Sequence, residues 1–420
     1  MRRILLSLLL TVLYSSGFAQ CPVASFSLPD TACSGTPLPI INTSTGDGLS
    51  FKWDFCPKEQ HGLTQYQFYR YSNYTLSTMT DFDLLKAGGQ YYMIAMDTIS
   101  NNLVIGTIGN HLSTRPFNAQ TFGSFPKFNC FDFIIEGDSS VYGLACYSPT
   151  NSLSLLSFPA GILNTPVVTP LSAFPSLSNP ADLRLVKNNQ NYYAFIANRG
   201  NGTITCLSFG NSMTNAPTEL YTYTVAGAGS LTDIDLSMTC SPPVAFLSDA
   251  LTGDITKLLF SSGLNAPPTS QSYSSTGSSG NKSVNISQEF ESYYVYFTDS
   301  ANKQLKYLQF ANNDFSSSPT VNTSPTFYFG PNQIESLTDS SITKLVVCDI
   351  PSLNFVEQVY VDSCINYYSE AANPDFSYFT TGWNKFSLTV TDSNGYQSVA
   401  YDSVYIISGP TANFTFSNNL

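Results

Sequence analysis

A chain of 420 residues with 11% charged and 14% aromatic residues, including 26 Tyr and 30 Phe, is too aromatic for disorder and too long for one ordinary domain. Its formal net charge of −12, with 17 Lys and Arg against 29 Asp and Glu, excludes the basic footprint of a nucleic-acid binder and disfavours anionic membrane surfaces. Only two histidines, His61 and His111, are available, which argues against a histidine-rich metal site.

The chain opens with Arg2-Arg3, a short apolar run from Ile4 to Leu13, and the small residues Ser15-Ser16-Gly17-Phe18-Ala19. This pattern predicts a secretory signal peptide over 1–19, with the protein exported or held at the cell surface. The apolar run is too short for a membrane span, and no other stretch is apolar enough to make one. Cleavage after Ala19 leaves Gln20 first and takes the net charge from −12 to −14. Acylation of Cys21 as a lipoprotein is the alternative, and Gln20 fits it poorly.

Residues 20–57 carry short strand patterns: Ala24-Ser25-Phe26-Ser27, Ile41-Asn42-Thr43-Ser44 and Phe51-Lys52-Trp53-Asp54-Phe55. A different regime then runs from 58 to 362. Six strands end in a polar anchor, as in Tyr91–Asp97, Val141–Tyr147, Tyr192–Asn198, Val244–Asp249, Tyr293–Asp299 and Leu345–Asp349. Successive anchors lie 50, 51, 51, 50 and 50 residues apart. Six residues after each anchor stands an apolar residue that opens another strand: Leu103, Leu153, Ile204, Ile255, Leu305 and Phe355. Upstream strands are expected at 82–85, 131–135, 181–186 and 234–236, and fourth segments at 219–223 and 326–329. Four short strands in a unit of this length are the signature of a propeller blade, and one blade must bury its faces against neighbours. The expected fold is therefore all-β, with a six-bladed β-propeller over 58–362.

After the repeats, residues 363–408 contain Gly382-Trp383-Asn384-Lys385-Phe386-Ser387-Leu388-Thr389-Val390-Thr391-Asp392 and then Ala400-Tyr401-Asp402-Ser403-Val404-Tyr405-Ile406. With the segments of 20–57, these resemble the front and back halves of a PKD domain, an immunoglobulin-like β-sandwich common in bacterial surface proteins. The Asn-x-Ser and Trp-Asp-Phe strands match the front, and the Gly-x-x-x-Phe-x-Leu-x-Val-x-Asp hairpin matches the back. The family's Gly-Asp-Gly after Trp-Asp-Phe is replaced by Cys56-Pro57. The resemblance implies one sandwich split by the inserted propeller, with Trp53 and Trp383 in its core. The run Gly409–Phe416 repeats the opening pattern, so 409–420 reads as the start of a further PKD-like domain and the natural chain is expected to continue past Leu420. Signal peptide, sandwich and Asn/Ser/Tyr richness together resemble secreted surface proteins of the Bacteroidetes group.

No catalytic constellation emerges. There is no Gly-x-Ser-x-Gly elbow and no phosphate loop among Gly35, Gly46 and Gly48, and neither histidine adjoins a nucleophile motif. The anchors Asp97, Asn198, Asp249, Asp299 and Asp349 fall at equivalent blade corners. They either close turns through backbone amides or form a rim that binds calcium or a sugar. The tyrosine pairs at 91–92, 192–193 and 293–294 suit packing between blades better than sugar stacking. Among nine cysteines, a Cys56–Cys364 bond would clamp the neck of the insertion, whereas Cys146 and Cys348 are expected to be buried and unbridged. The protein is thus not expected to be an enzyme. Three functions fit: recognition or adhesion, with the propeller binding an extracellular polysaccharide or protein and the sandwich as spacer; a propeller-type polysaccharide lyase or glycoside hydrolase; or a purely structural stalk segment of a large adhesin. No cofactor is expected, with calcium the one open candidate.

Overall fold

The computed structural model describes residues 21–55, 67–69 and 79–409, apart from 98, 111, 113–116, 124, 138–139, 239–241, 274–279, 281–282, 290–291, 328, 340–341, 350–353, 362–367 and 394–395. The signal-peptide segment, both histidines and the Cys56–Cys364 pair lie outside these residues. Apart from a single 3-10 turn at Ser148–Thr150, every regular element described is a strand.

The chain is an all-β propeller. Six antiparallel sheets of four strands follow the repeat. Blade one, for example, is built from Met79–Ala87, Gln90–Asp97, Asn102–Gly109 and Phe117–Phe122, in that spatial order. The inner strands of blades two to six are Cys130–Glu136, Pro180–Asn188, Leu231–Ser237, Val284–Glu289 and Gln333–Asp339. Each anchor ends a second strand, and the apolar residue six positions on begins or enters the third. Burial accounts for this regularity. Successive side chains point to opposite faces of a strand, and both faces of a blade meet a neighbour, so second strands read as nearly continuous apolar runs.

One hydrophobic core fills each seam between blades. Blades one and two share Ile94, Ile105, Phe131 and Phe133, and blades two and three share Leu144, Leu183, Leu207 and Phe209. Blades three and four close on Phe195, Ile234 and Phe260, and blades four and five on Phe246, Val295 and Phe310. Tyr296, Phe327 and Ile334 join blade five to six, and Phe82, Met93 and Val346 join six to one. The tyrosine pairs are buried in these seams: Tyr92 and Tyr192 in the cores that follow blades one and two, Tyr91 in the core that closes the ring.

Two expectations about strands are corrected. The fourth strand of blade five is Thr320–Thr323, not 326–329. Phe327 and Phe329 are instead buried in a loop, with stacked rings 5.6 Å apart, because two large aromatics gain more in the seam than on an outer edge strand. In blade six the outer place lies beside Asn354–Val361. That place is taken by Gln67–Tyr69, from the start of the propeller segment, which closes the ring.

The two ends of the chain build a further unit. Its five-stranded sheet runs Thr31–Cys33, Gln397–Ile407, Gly382–Thr391, Ser50–Asp54, Tyr368–Ser369, with the first pair parallel. A two-stranded sheet, Phe26–Ser27 with Ile41–Asn42, accompanies it. Trp53 is fully buried against Phe26 and Phe55, and its Nε1 donates to the Ala371 carbonyl at 2.9 Å. Tyr378 donates its hydroxyl to the Phe55 carbonyl, joining the two ends across the whole propeller. Trp383 does not share this core, contrary to expectation, and is 69% exposed. On its strand Phe386, Leu388 and Val390 face inward, so a residue three positions before Phe386 has the outward parity.

Cys146 is likewise corrected. It faces Cys130 directly in the ladder, with Cα atoms 5.3 Å apart, and the two form a disulfide. Cys348, the equivalent residue of blade six, is buried.

Candidate functional site

The anchors sit where the second strand of each blade turns into the third, and four of the five Asp and Asn anchors have described side chains. Asp97, Asn198, Asp249 and Asp299 are all at most 3% exposed. Asp97 accepts from the Ile99 amide at 3.0 Å. Asn198 accepts from the Ser178 amide and donates to the hydroxyls of Thr203 and Thr205. Asp249 accepts four backbone amides, from Gly229, Ser230, Leu251 and Thr252, at 2.6–3.0 Å. Burial opposes its charge, but those four donors hold the carboxyl below its usual range. Asp299 is held down similarly: burial is outweighed by Asn302 and by Lys306, whose Nζ lies 3.1 Å away. These side chains are thus engaged with their own turns and, for Asn198 and Asp249, with the loop leading into the inner strand. The Asp349 side chain lies outside the described residues.

The structure gathers a second set of polar residues around the propeller axis. In each inner strand, the side chains turned toward the next blade are polar at two successive levels, except that blade two carries the half-cystine Cys130 at the first. The residues paired with or facing the position before the anchor are Asp81, Cys130, Asp182, Asp233, Ser283 and Gln333. Two residues further along come Asp83, Asp132, Arg184, Asp235, Asn285 and Glu335. The seven acids in these two levels are all buried.

Their bonding explains their position. An inner strand is a sheet edge with amides that no partner strand satisfies, and buried amides must find acceptors. Each blade offers those acceptors to the next. Asp81 accepts from the Phe131 amide at 2.9 Å, Asp132 from Leu185 at 2.6 Å and Asp182 from Ile234 at 2.9 Å. Asp233 and Asp235 accept from Val284 and Ile286, at 3.2 and 2.6 Å. Ser283 Oγ takes the Ile334 amide at 3.1 Å, and Gln333 Nε2 returns to Asp81 at 2.8 Å. All six seams are therefore stitched by side chains at the axis.

Arg184 is the one cation of the two levels. Its Nε donates to Asp235 at 2.9 Å, Nη2 reaches both oxygens of Glu335 at 3.0 and 3.1 Å, and Nη1 lies 3.6 Å from Asp132. Glu335 belongs to blade six and Arg184 to blade three, so the guanidinium spans the axis between opposite blades. Desolvation raises the acids: Asp81, Asp83 and Asp233 are pushed well above the carboxylate range, and Glu335 up to about 8. Asp182 and Asp233 are neighbouring carboxyls across the seam between blades three and four, and Asp182 adds to burial in pushing the Asp233 carboxyl up. Among the described residues no group of three His, Cys, Asp or Glu is placed to hold a metal ion.

The two faces of the propeller differ. Asn188, at the inner turn of blade three, accepts from the Tyr396 hydroxyl at 2.7 Å, and Asn313, after the third strand of blade five, donates to Tyr401 at 2.8 Å. Both tyrosines belong to the terminal unit, and strand direction places both asparagines on the same face. The opposite face carries the anchor turns. Two residues after their anchors, Ile99 and Leu251 stand 68% and 75% exposed at the turn tips of blades one and four.

No family model matches the sequence, and no curated protein matches it. Among solved structures, an arginine-to-alanine triple mutant of AofleA from Arthrobotrys oligospora is 10% identical, with a TM-score of 0.51 over 84% of this chain and 96% of that one. Regucalcin from Agrobacterium tumefaciens is 10% identical with a TM-score of 0.45, over 70% of this chain and 94% of that one. An exo-β-1,3-galactanase from Phanerochaete chrysosporium is 11% identical with a TM-score of 0.39, over 57% and 66%. These are propeller-like folds.

Proposed function

We propose that the protein is an exported recognition protein in which the propeller binds a polysaccharide or protein ligand through the face that carries the anchor turns. The terminal unit is read as a split PKD-like sandwich serving as spacer. One observation carries this reading: the exposed apolar tips Ile99 and Leu251 occupy equivalent turns on the face opposite the Tyr396–Asn188 and Tyr401–Asn313 contacts. Exposed apolar side chains at matched positions on a rigid rim suit ligand contact better than any internal role. The terminal sheet adds an exposed Trp383–Tyr405 pair, rings 5.3 Å apart.

The test is binding of the exported chain, Gln20–Leu420, to a polysaccharide and glycan array, with and without calcium. Binding that the double variant Ile99→Ser, Leu251→Ser weakens at least tenfold supports the assignment of this face. Binding that the double variant leaves intact removes it. The enzymatic alternative, a lyase or glycoside hydrolase, draws support from the Asp182–Asp233 pair and from Glu335, a carboxyl pushed up to about 8 in the range useful to a general acid. Release of oligosaccharides that Glu335→Gln abolishes would favour that reading over recognition.

A further inference from the structure

We propose that the propeller axis is a proton-held lock, in which the seams between blades close on protonated carboxyl groups and the ring loosens as those protons leave. The geometry carries the idea. Blade one turns Asp81 and Asp83 to the axis, blade two Asp132, blade four Asp233 and Asp235, and blade six Glu335. Blade three contributes Asp182 and Arg184, while blade five contributes only the neutral Ser283 and Asn285. Seven carboxyls thus share one guanidinium, and that guanidinium is committed to Asp235, Glu335 and Asp132.

The remaining acids need another source of neutrality. Asp182 and Asp233 meet across a seam as neighbouring buried carboxyls, and a proton on one of them relieves the repulsion between them. The pair lies between blades three and four, beside the Asp182–Ile234 stitch. Asp83 makes no hydrogen bond among the described residues and lies between Asp132 and Glu335, both acidic, so its charged form meets repulsion from both sides. Ionising such groups sets like charges against each other in a low-dielectric seam.

The direction of the pH dependence follows. In the unfolded chain these carboxyls ionise near pH 4. In the folded chain burial raises Asp81, Asp83, Asp233, Asp132 and Asp182, and Glu335 reaches about 8. Between those values the folded protein binds more protons than the unfolded one. The stability that the ring contributes is therefore complete below the unfolded values and is lost as pH rises through the folded values. Asp249 and Asp299 act oppositely, but their depressed values confine their effect to acid.

The experiment is urea denaturation of the exported chain between pH 5.5 and 7.5, followed by near-ultraviolet circular dichroism of the blade tyrosines. Each proton held by the folded state lowers the folding constant about tenfold per pH unit, so a fall of at least that size is expected. Asp233→Asn supplies an amide donor to Asp182 without a titrating proton, and its slope should be shallower by about one proton. Asp83→Asn, which disrupts no hydrogen bond described, should flatten the slope and stabilise the protein at pH 7.5. A folding constant that is level or rises with pH overturns the lock, as does retention of the full slope by both variants.

Discussion

Removal of the axial guanidinium is the sharpest test of how the propeller is held. In Arg184→Met the aliphatic stem is largely kept, but Asp235, Glu335 and Asp132 lose the cation they share. Removing one partner of a buried ion pair costs about 3–5 kcal/mol, because the other charge is left uncompensated. For a propeller of this length the entropy of unfolding converts that loss into a fall in Tm of about 5–8 °C. The carboxyls can answer by taking up protons, so the loss should be largest near pH 8 and smaller near pH 5. Arg184→Lys should fall between wild type and Met, since an ammonium keeps the charge but not the bidentate contact with Glu335. Differential scanning calorimetry at both pH values measures this directly. A Met variant within about 1 °C of wild type at pH 8 would refute the reasoning, and so would an equal loss at both pH values.

Reduction of Cys130–Cys146, which closes a loop of 16 residues, should destabilise the propeller by about 3 kcal/mol, seen as a lower urea midpoint with dithiothreitol than without. The buried thiol of Cys206, pushed up to about 12 by burial, should resist maleimide until the chain unfolds; prompt labelling of the native protein at that position would contradict its placement. Asp249→Ala strips the acceptor from four amides and should cost about 2–4 kcal/mol, whereas chelator should leave the wild-type Tm unchanged; a chelator-induced fall would restore the anchors as metal ligands. Trp53→Ala should unfold the terminal unit at a loss of about 3–5 kcal/mol, while Trp383→Ala should change stability by less than about 0.5 kcal/mol and remove the red-shifted part of the fluorescence.

The sequence by itself determined the period of the architecture. A blade must bury both faces and turn at a fixed place, so second-strand apolar runs and polar anchors recur at 50 or 51 residues whatever the ligand. The axial polar residues obey the same period, with Asp182, Asp233, Ser283 and Gln333 separated by 51, 50 and 50, and this was the available signal for the ring. Their role was hidden because it depends on amides of the following blade, such as Leu185 and Ile234, which no local pattern identifies as partners. Arg184 could be read only as a lone basic residue in an inner strand until the fold brought Glu335 across from the opposite blade. The same holds for the closing strand Gln67–Tyr69, for the Cys130–Cys146 pairing and for the side of the sheet on which Trp383 lies. Strand periodicity is local and written in consecutive residues, but ring closure, cross-axis charge pairing and strand register are set by residues as far as 374 positions apart, and only the tertiary structure decides them.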